Sequence, residues 1–324
     1  MKAFFLENYG PPETLMMKEV AKPAPGENEV LIKVIATAVN DYDWSFVRGK
    51  PFIYRLMFGL QKPKKPIPGM ELAGIIEATG NSVLDFKPGD EVYGDVSDSG
   101  FGSFAEYLAI DQKAVVRKPQ AMSFEEAASL SHAFNLAAQG LIDLGQISRG
   151  QKVLINGGGG GVGFLGLQLA RPYASEICGV DTGDKLEVMN RMGYDEVIDY
   201  KETDFTRSGK TYDLILDTKT NRSPFAYARA LNRGGKYITV GGQLTKLFQI
   251  LLFKGWIRRS QKKRVAMVGL KANKDLDLLH QLYSEGKITA TIDGPYAFEE
   301  TPEALRRFGE GKHTGKVIIK VAEP

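Results

Sequence analysis

The sequence predicts an α/β protein of two domains, a compact β-barrel and a doubly wound parallel sheet. Three observations predict it. Short strands separated by turn signals fill roughly the first 118 residues. Strand and helix patterns then alternate from about 119 to 270. Within that alternation, Lys152–Asn156 is an apolar strand, Gly157–Gly161 are five consecutive glycines, and Val162 to Ala170 carries a helical apolar pattern.

Taken in order, Glu29–Ala36 reads as a strand, and Leu72–Ala78 as another between Gly69 and Gly80. Phe86–Gly94 holds a Pro-Gly turn that leads into a third, and Gly102–Ile110 alternates in the same manner. Ser123 with Glu126 three residues on is a capping box, so a helix follows, to about Leu144. The glycine stretch then reads as strand, tight turn and helix. Gly158, Gly160 and Gly163 fit the G-x-G-x-x-G spacing that lets a backbone approach a pyrophosphate at a helix N-terminus. A second strand, Glu176–Val180, ends in Asp181, where a dinucleotide-binding unit places its ribose acid.

Val197–Tyr200, Tyr212–Asp217, Lys236–Val240 and Val265–Leu270 read as four further strands. A helix near Phe225–Leu231 and a Gly234–Gly235 turn precede the strand at Lys236. The tail carries a helix from about Asp275 to Glu285, a helix start at Thr301–Leu305 with Pro302 just inside, and a strand from Lys316 to Val321. That last strand has no place in a completed six-stranded unit, so the tail is expected to return to the barrel.

Composition narrows the function classes. Length suits two domains, and 43% hydrophobic with 25% charged residues is ordinary for a globular chain. A net charge of +3 argues neither for nor against an anionic partner, and no nucleic-acid partner is expected. Cys178 is the only cysteine, which rules out an internal disulfide and a multi-cysteine zinc site and suits a reducing cytoplasm. The N-terminus is too soon charged for a signal peptide, and no apolar run reaches transmembrane length.

With these residues in hand, the chain resembles the medium-chain dehydrogenase/reductase superfamily. It is most similar to the zinc-free quinone-oxidoreductase-like branch, often labelled NAD(P)-dependent alcohol dehydrogenase. The resemblance rests on Ala38-Val39-Asn40 with Asp43-Trp44, Pro68 to Gly74, Phe86 to Gly94, Gly102 to Tyr107, the glycine loop with Gln168-Leu169-Ala170, Val197 to Tyr200, and Gly315 to Ile319. It implies a GroES-like catalytic domain over 1–118 completed by 271–324, and a Rossmann domain over 119–270. Zinc members carry Gly-His-Glu where this chain has Gly69-Met70-Glu71, and a metal cysteine near Asn40, so no metal site is expected.

The resemblance further implies hydride transfer from NAD(P)H to a small lipophilic electrophile, a quinone or an α,β-unsaturated carbonyl. The alternatives are a metal-free alcohol dehydrogenase and a cofactor-binding structural or regulatory protein without turnover. Asn40, Asp43 and Tyr54 are the candidate catalytic residues. Asn40 would meet a substrate oxygen, Asp43 is a pocket residue or a turn-fixing one, and Tyr54 is a phenol donor or packing. Cofactor contacts are expected at Gly160, Gly161, Val162, Gly163, Asp181, Thr182, Tyr200, Gly241, Gly242, Gly269 and Leu270. Asp181 and Asp184 repel a 2′-phosphate by roughly one to a few kcal/mol, partly offset by Lys185, so the reading leans to NADH with NADPH open. A homodimer is a family expectation.

The stretch 244–264 runs from apolar, Leu247 to Trp256, to basic, Arg258 to Arg264. A second such piece spans Phe52–Leu60 with Lys62, Lys64 and Lys65. Either both are packing helices with solvated ends, or they form a lid over a lipophilic acceptor, with peripheral contact to an anionic membrane.

Overall fold

The computed structural model describes residues 1–324 and divides the chain into two units. The first unit comprises Met1–His132, Ala272–Leu276 and Ala290–Pro324, and the second Ala133–Lys271 and Asp277–Thr289.

In the first unit, β1 (Lys2–Leu6) pairs antiparallel with β2 (Leu15–Glu19). The ten-residue β3 (Glu29–Ala38) is the spine. Short helices α1 (Asp41–Arg48) and α2 (Ile53–Phe58) follow it. β4 (Glu71–Thr79) and β6 (Tyr107–Asp111) both pair antiparallel with β3, while β5 (Glu91–Asp95) bridges β4 to β7 (Val116–Arg117). Gly74 allows the tight β3–β4 contact, because a Cβ there would sit 2.2 Å from the Lys33 carbonyl oxygen. The barrel interior is filled by alternate residues of these strands, among them Val30, Ile32, Val34, Leu72, Ile76 and Val92.

Helix α3 (Phe124–Ala138) starts where the capping box predicts. The Glu126 N–H donates to Ser123 Oγ at 3.1 Å, and the Ser123 N–H donates back to Glu126 Oε2 at 2.9 Å. Beyond it the second unit alternates strand and helix: β8 (Lys152–Asn156), α4 (Gly161–Ala170), β9 (Glu176–Asp181), α5 (Lys185–Met192), β10 (Glu196–Asp199), β11 (Tyr212–Asp217), α6 (Pro224–Arg229), β12 (Leu231–Thr239), α7 (Leu244–Gln261) and β13 (Arg264–Met267). All six strands are parallel, in the order β10-β9-β8-β11-β12-β13. That is the doubly wound dinucleotide-binding order, in which the winding reverses between β8 and β11. The lone cysteine, Cys178, lies in β9 and is fully buried. Desolvation pushes its thiol up to about 12.

Two details differ from expectation. Gly234–Gly235 is not a turn ahead of a strand. β12 already begins at Leu231, and the extra residues are absorbed as a register shift against β11 between Tyr212 and Leu214. The tail also divides. After α8 (Leu276–Ser284), β14 (Ile292–Ala297), α9 (Thr301–Gly309) and β15 (Lys316–Lys320) join the first unit, where β15 pairs antiparallel with β3. Asp277–Thr289 belongs to the second unit. There the Thr289 N–H donates to Gln168 Oε1 at 2.8 Å, and Gln168 Nε2 returns a bond to the Thr289 carbonyl. No helix is long and apolar enough to cross a membrane.

Candidate active site and cofactor cradle

In the first unit, buried polar side chains gather where β3 ends and β4 begins. Glu71 is fully buried. Its Oε1 accepts from Ser131 Oγ at 2.6 Å and from the His132 N–H at 2.7 Å, both on α3. Its Oε2 lies 2.7 Å from the Lys316 ammonium at the start of β15 and accepts from Asn40 Nδ2 at 3.2 Å. Lys316 donates in turn to Asn40 Oδ1. Asp43 completes the group. Its carboxylate accepts from the backbone N–H groups of Asn40 at 2.9 Å and Gly69 at 3.1 Å. Burial pushes the Asp43 carboxyl up to about 7, against the pull of those two bonds and of the Lys316 and His132 charges.

Beside this cluster, His132 Nδ1 meets Asp95 Oδ2 at 2.7 Å. Burial would raise the Asp95 carboxyl, but His132 and Ser97 together hold it below its ordinary value. Tyr54 lies elsewhere in the same unit. Its ring faces Tyr42 at 5.1 Å and Phe58 at 6.1 Å, and burial lifts its phenol far above the usual range. Asn40 and Asp43 are thus joined in one network, whereas Tyr54 belongs to an aromatic cluster on α1 and α2.

The positions that hold zinc in zinc-dependent dehydrogenases do not fit that metal here. Met70 and Asn40 are poor zinc donors, and the remaining carboxylate, Glu71, is taken by an ammonium.

In the second unit, every residue expected to touch the cofactor lies at or just beyond the carboxyl end of a parallel strand. The registers align Asn156 with Val180 and Asp217, Asp217 with Thr239, Thr239 with Met267, and Asp199 with Asp181. Gly157–Gly163 follows β8, Asp181 and Thr182 end β9, Tyr200 follows β10, Gly241 and Gly242 follow β12, and Gly269 and Leu270 follow β13. The glycine loop fits a pyrophosphate. Gly160 caps α4, and the backbone N–H groups of Gly161, Val162 and Gly163 open the helix, where no intrahelical acceptor exists. A Cβ on Gly163 would lie 2.4 Å from the Gly157 carbonyl oxygen, so only glycine allows the loop to close on its helix.

Asp181 is buried and already engaged. Its Oδ2 accepts from the Gly159 N–H at 3.0 Å, its Oδ1 accepts from the Thr182 N–H at 3.1 Å, and Lys185 Nζ stands 3.7 Å away.

Two residues in this unit were not singled out in the sequence. Tyr194 donates its hydroxyl to the Gly158 and Gly163 carbonyls at 3.1 and 2.9 Å and so props the glycine loop from below. The fully buried Asp217 accepts from Asn156 Nδ2, the Lys219 and Thr220 N–H groups and the Tyr237 hydroxyl, at 2.7 to 3.1 Å. It knits β8, β11 and β12 at the point where the winding reverses. A polar residue ending each of adjacent parallel strands was the available hint.

Comparison with known proteins settles the family. Residues 26–120 match the alcohol dehydrogenase GroES-like domain, and residues 192–319 match the zinc-binding dehydrogenase family. The chain is 32% identical over 98% of its length to a 2-methylene-furan-3-one reductase of Solanum lycopersicum, covering 79% of that protein. The chain belongs to the medium-chain dehydrogenase/reductase superfamily, in its quinone-oxidoreductase-like branch. Another medium-chain relative, the NADPH-dependent alkenal/one oxidoreductase of Arabidopsis thaliana, is 30% identical over 98% of the chain and is covered to 79%. Among solved structures, the quinone oxidoreductase from Coxiella burnetii superposes with a TM-score of 0.84 at 25% identity, over 99% of each chain. The expected α/β architecture, a GroES-like domain with a Rossmann domain, is therefore that of this medium-chain enzyme.

The buried cluster generates two predictions. Lys316→Met leaves Glu71 charged, buried and short of a partner, and should destabilise the protein by about 3 kcal/mol. The double variant Glu71→Gln/Lys316→Met should recover much of that in urea unfolding, and a single-variant loss under about 1 kcal/mol would refute the pair's role. The second concerns pH. Folded Asp43 keeps its proton up to about pH 7, whereas an unfolded Asp loses it near 4. Between those values the folded state binds the extra proton, so this group's contribution falls as pH rises and levels off above 7. The melting temperature of Asp43→Asn should therefore decline less than wild type over that window, and parallel curves would reject the assignment.

Proposed function

We propose that the protein is a zinc-independent NAD(P)H-dependent oxidoreductase that reduces a small lipophilic electrophile, a quinone or an α,β-unsaturated carbonyl. The observation that carries this reading is the Lys316–Glu71–Asn40 cluster at the family's metal position. An amide and a paired ammonium do not polarise a carbonyl as a bound metal does, so the acceptor must already be electron-poor. The names of the tomato and Arabidopsis relatives, a furanone reductase and an alkenal/one oxidoreductase, point to the same acceptor chemistry.

When bound, the nicotinamide supplies a hydride, and a proton from water or a pocket hydroxyl completes the two-electron reduction. The protein's part is to bind, orient and exclude water. The backbone N–H groups of Gly161, Val162 and Gly163 would hold the pyrophosphate, and Tyr200, Gly241, Gly242, Gly269 and Leu270 would line the rest of the cofactor's path. Asn40 uses one of its two amide N–H groups on Glu71, and the other is the donor for an acceptor oxygen. Asp43 positions Asn40 through its backbone, and Tyr54 is a further candidate donor. In this reading residues 1–118 and 271–324 serve the substrate and 119–270 serve the cofactor.

Asp181 supports NADH, since a buried carboxylate at the end of β9 favours a ribose diol over a 2′-phosphate. Lys185, beside it, lessens that discrimination. A homodimer, a cytoplasmic setting and peripheral contact between the stretch 244–264 and the membrane that holds lipophilic acceptors complete the reading.

Two measurements test it. Purified protein should oxidise NAD(P)H with saturable dependence on quinones or enones, and exhaustive chelation should leave the rate unchanged. Cofactor binding without turnover, or a loss restored only by zinc, would overturn the assignment. Asp181→Ser should move the ratio of kcat/KM for NADPH over NADH upward by about tenfold. A wild-type enzyme that already strongly prefers NADPH would show that Lys185 governs this position.

A further inference from the structure

Helix α7 is apolar on two opposite sides. Its inner side is held by Ile250 and Ile257, both fully buried, with Leu247 packed beside them. Its outer side carries Leu244, Phe248, Leu251, Leu252 and Trp256, which recur at steps of three and four. At about 100° per residue, Leu252 stands ~200° around the helix from Ile250. Phe248, Leu252 and Trp256 are exposed to 60%, 59% and 56%. One side explains the packing of the helix on the sheet; on the other, Trp256 meets the ring of Phe225 at 5.5 Å, and the stripe still stays largely exposed. Such a contiguous exposed patch marks an interaction surface rather than scattered surface leucines.

The charge around it is one-sided. Between Asp217 and Asp275 stand fourteen Lys and Arg and no Asp or Glu. The rest of the chain holds 28 basic against 39 acidic residues, so the excess of positive charge lies wholly in this segment. Where α7 ends and the chain turns into β13, Lys254, Arg258, Lys262, Lys263 and Arg264 line a groove of about 720 Å³. Lys263 is partly committed, donating to the Ala228 carbonyl at 2.7 Å. Lys254, Arg258, Arg259, Lys262 and Arg264 are exposed, and no carboxylate in the segment neutralises them.

We infer that α7 is an interfacial anchor for an anionic phospholipid surface. Phe248, Leu252 and Trp256 enter the boundary between headgroups and acyl chains, and the cations at the end of the helix take the lipid phosphates in the adjoining groove. An apolar face flanked by Lys and Arg, with Trp at the boundary, is the composition that lies in a bilayer interface. Nucleic acid would use the charge but has no need of the exposed leucines Leu244, Leu251 and Leu252. A second copy of the chain would bring two basic grooves together without a counter-charge. This inference rests on the peripheral membrane contact of the proposed function and gives it its lipid chemistry, and its test is read from vesicle binding, which turnover does not enter.

The test is co-sedimentation of the whole protein with vesicles of phosphatidylcholine alone and with vesicles of equal parts phosphatidylcholine and phosphatidylglycerol. Binding is expected only to the second, weakening as potassium chloride is raised. Arg258→Glu with Arg259→Glu should lower the partition at least tenfold, at about fivefold or more per charge. Leu252→Ser with Trp256→Ser should lower it about tenfold at unchanged charge. Circular dichroism and an unchanged melting temperature establish that both variants are folded. The chain has two tryptophans, so Trp44→Phe leaves Trp256 as sole reporter, and its emission should shift to the blue only with the anionic vesicles. Equal or absent binding to both vesicle types, an unmoved Trp256 emission, competition by polyuridylate in place of vesicles, or a dimer that Trp256→Ser dissociates without any vesicle binding would each overturn the inference.

Discussion

One buried ion pair holds the first unit together at its functional end. Glu71 opens β4, Lys316 opens β15, and both strands flank β3, whose end runs into Asn40. Burying two charges costs several kcal/mol each, and their attraction recovers that only where the remaining hydrogen-bonding capacity is met. Here it is met. Ser131 and His132 satisfy the second oxygen of Glu71 from α3, and Asn40 bridges anion and cation. The cost of the pair therefore fixes three strands and a helix in one arrangement, with a polar floor that has no room to relax.

The second unit solves a related problem at its strand ends. Parallel strands leave their last carbonyls and side chains at a common edge. Asp217 draws Asn156, Tyr237 and two backbone N–H groups onto one carboxylate there, while Thr220 bonds to Thr239. The glycine loop is underpinned in the same way, by the hydroxyl of Tyr194 and by Asp181 reaching Gly159. The Gly158 and Gly163 carbonyls and the Gly159 N–H are thereby partnered within the protein, while the N–H groups of Gly161, Val162 and Gly163 at the start of α4 have no intrahelical acceptor.

What the sequence revealed follows from this division. Strands, helices and the glycine loop were legible because their signals are local: apolar runs, a capping box at Ser123, five glycines ahead of a helical pattern. Of the strand-end positions, the glycine loop and Asp181 were legible from spacing, whereas Thr182, Tyr200, Gly241, Gly242, Gly269 and Leu270 came from the family resemblance. The Asn40–Lys316 bond joins residues 276 apart and depends on register across β3, which no local pattern records. Gly234–Gly235 resembles a turn because two glycines permit one, yet pairing with β11 absorbs them into β12. Tyr194 is an ordinary aromatic residue until the fold brings it beneath the loop.

The buried position of Cys178 bears on how such a protein survives its own chemistry. Quinones and α,β-unsaturated carbonyls add readily to thiolates, and a cysteine near an acceptor pocket is a target for self-alkylation. This chain has one thiol, enclosed within the parallel sheet and held almost wholly protonated at neutral pH by its apolar surroundings. A protein that handles soft electrophiles on this fold presents them with no accessible thiolate of its own.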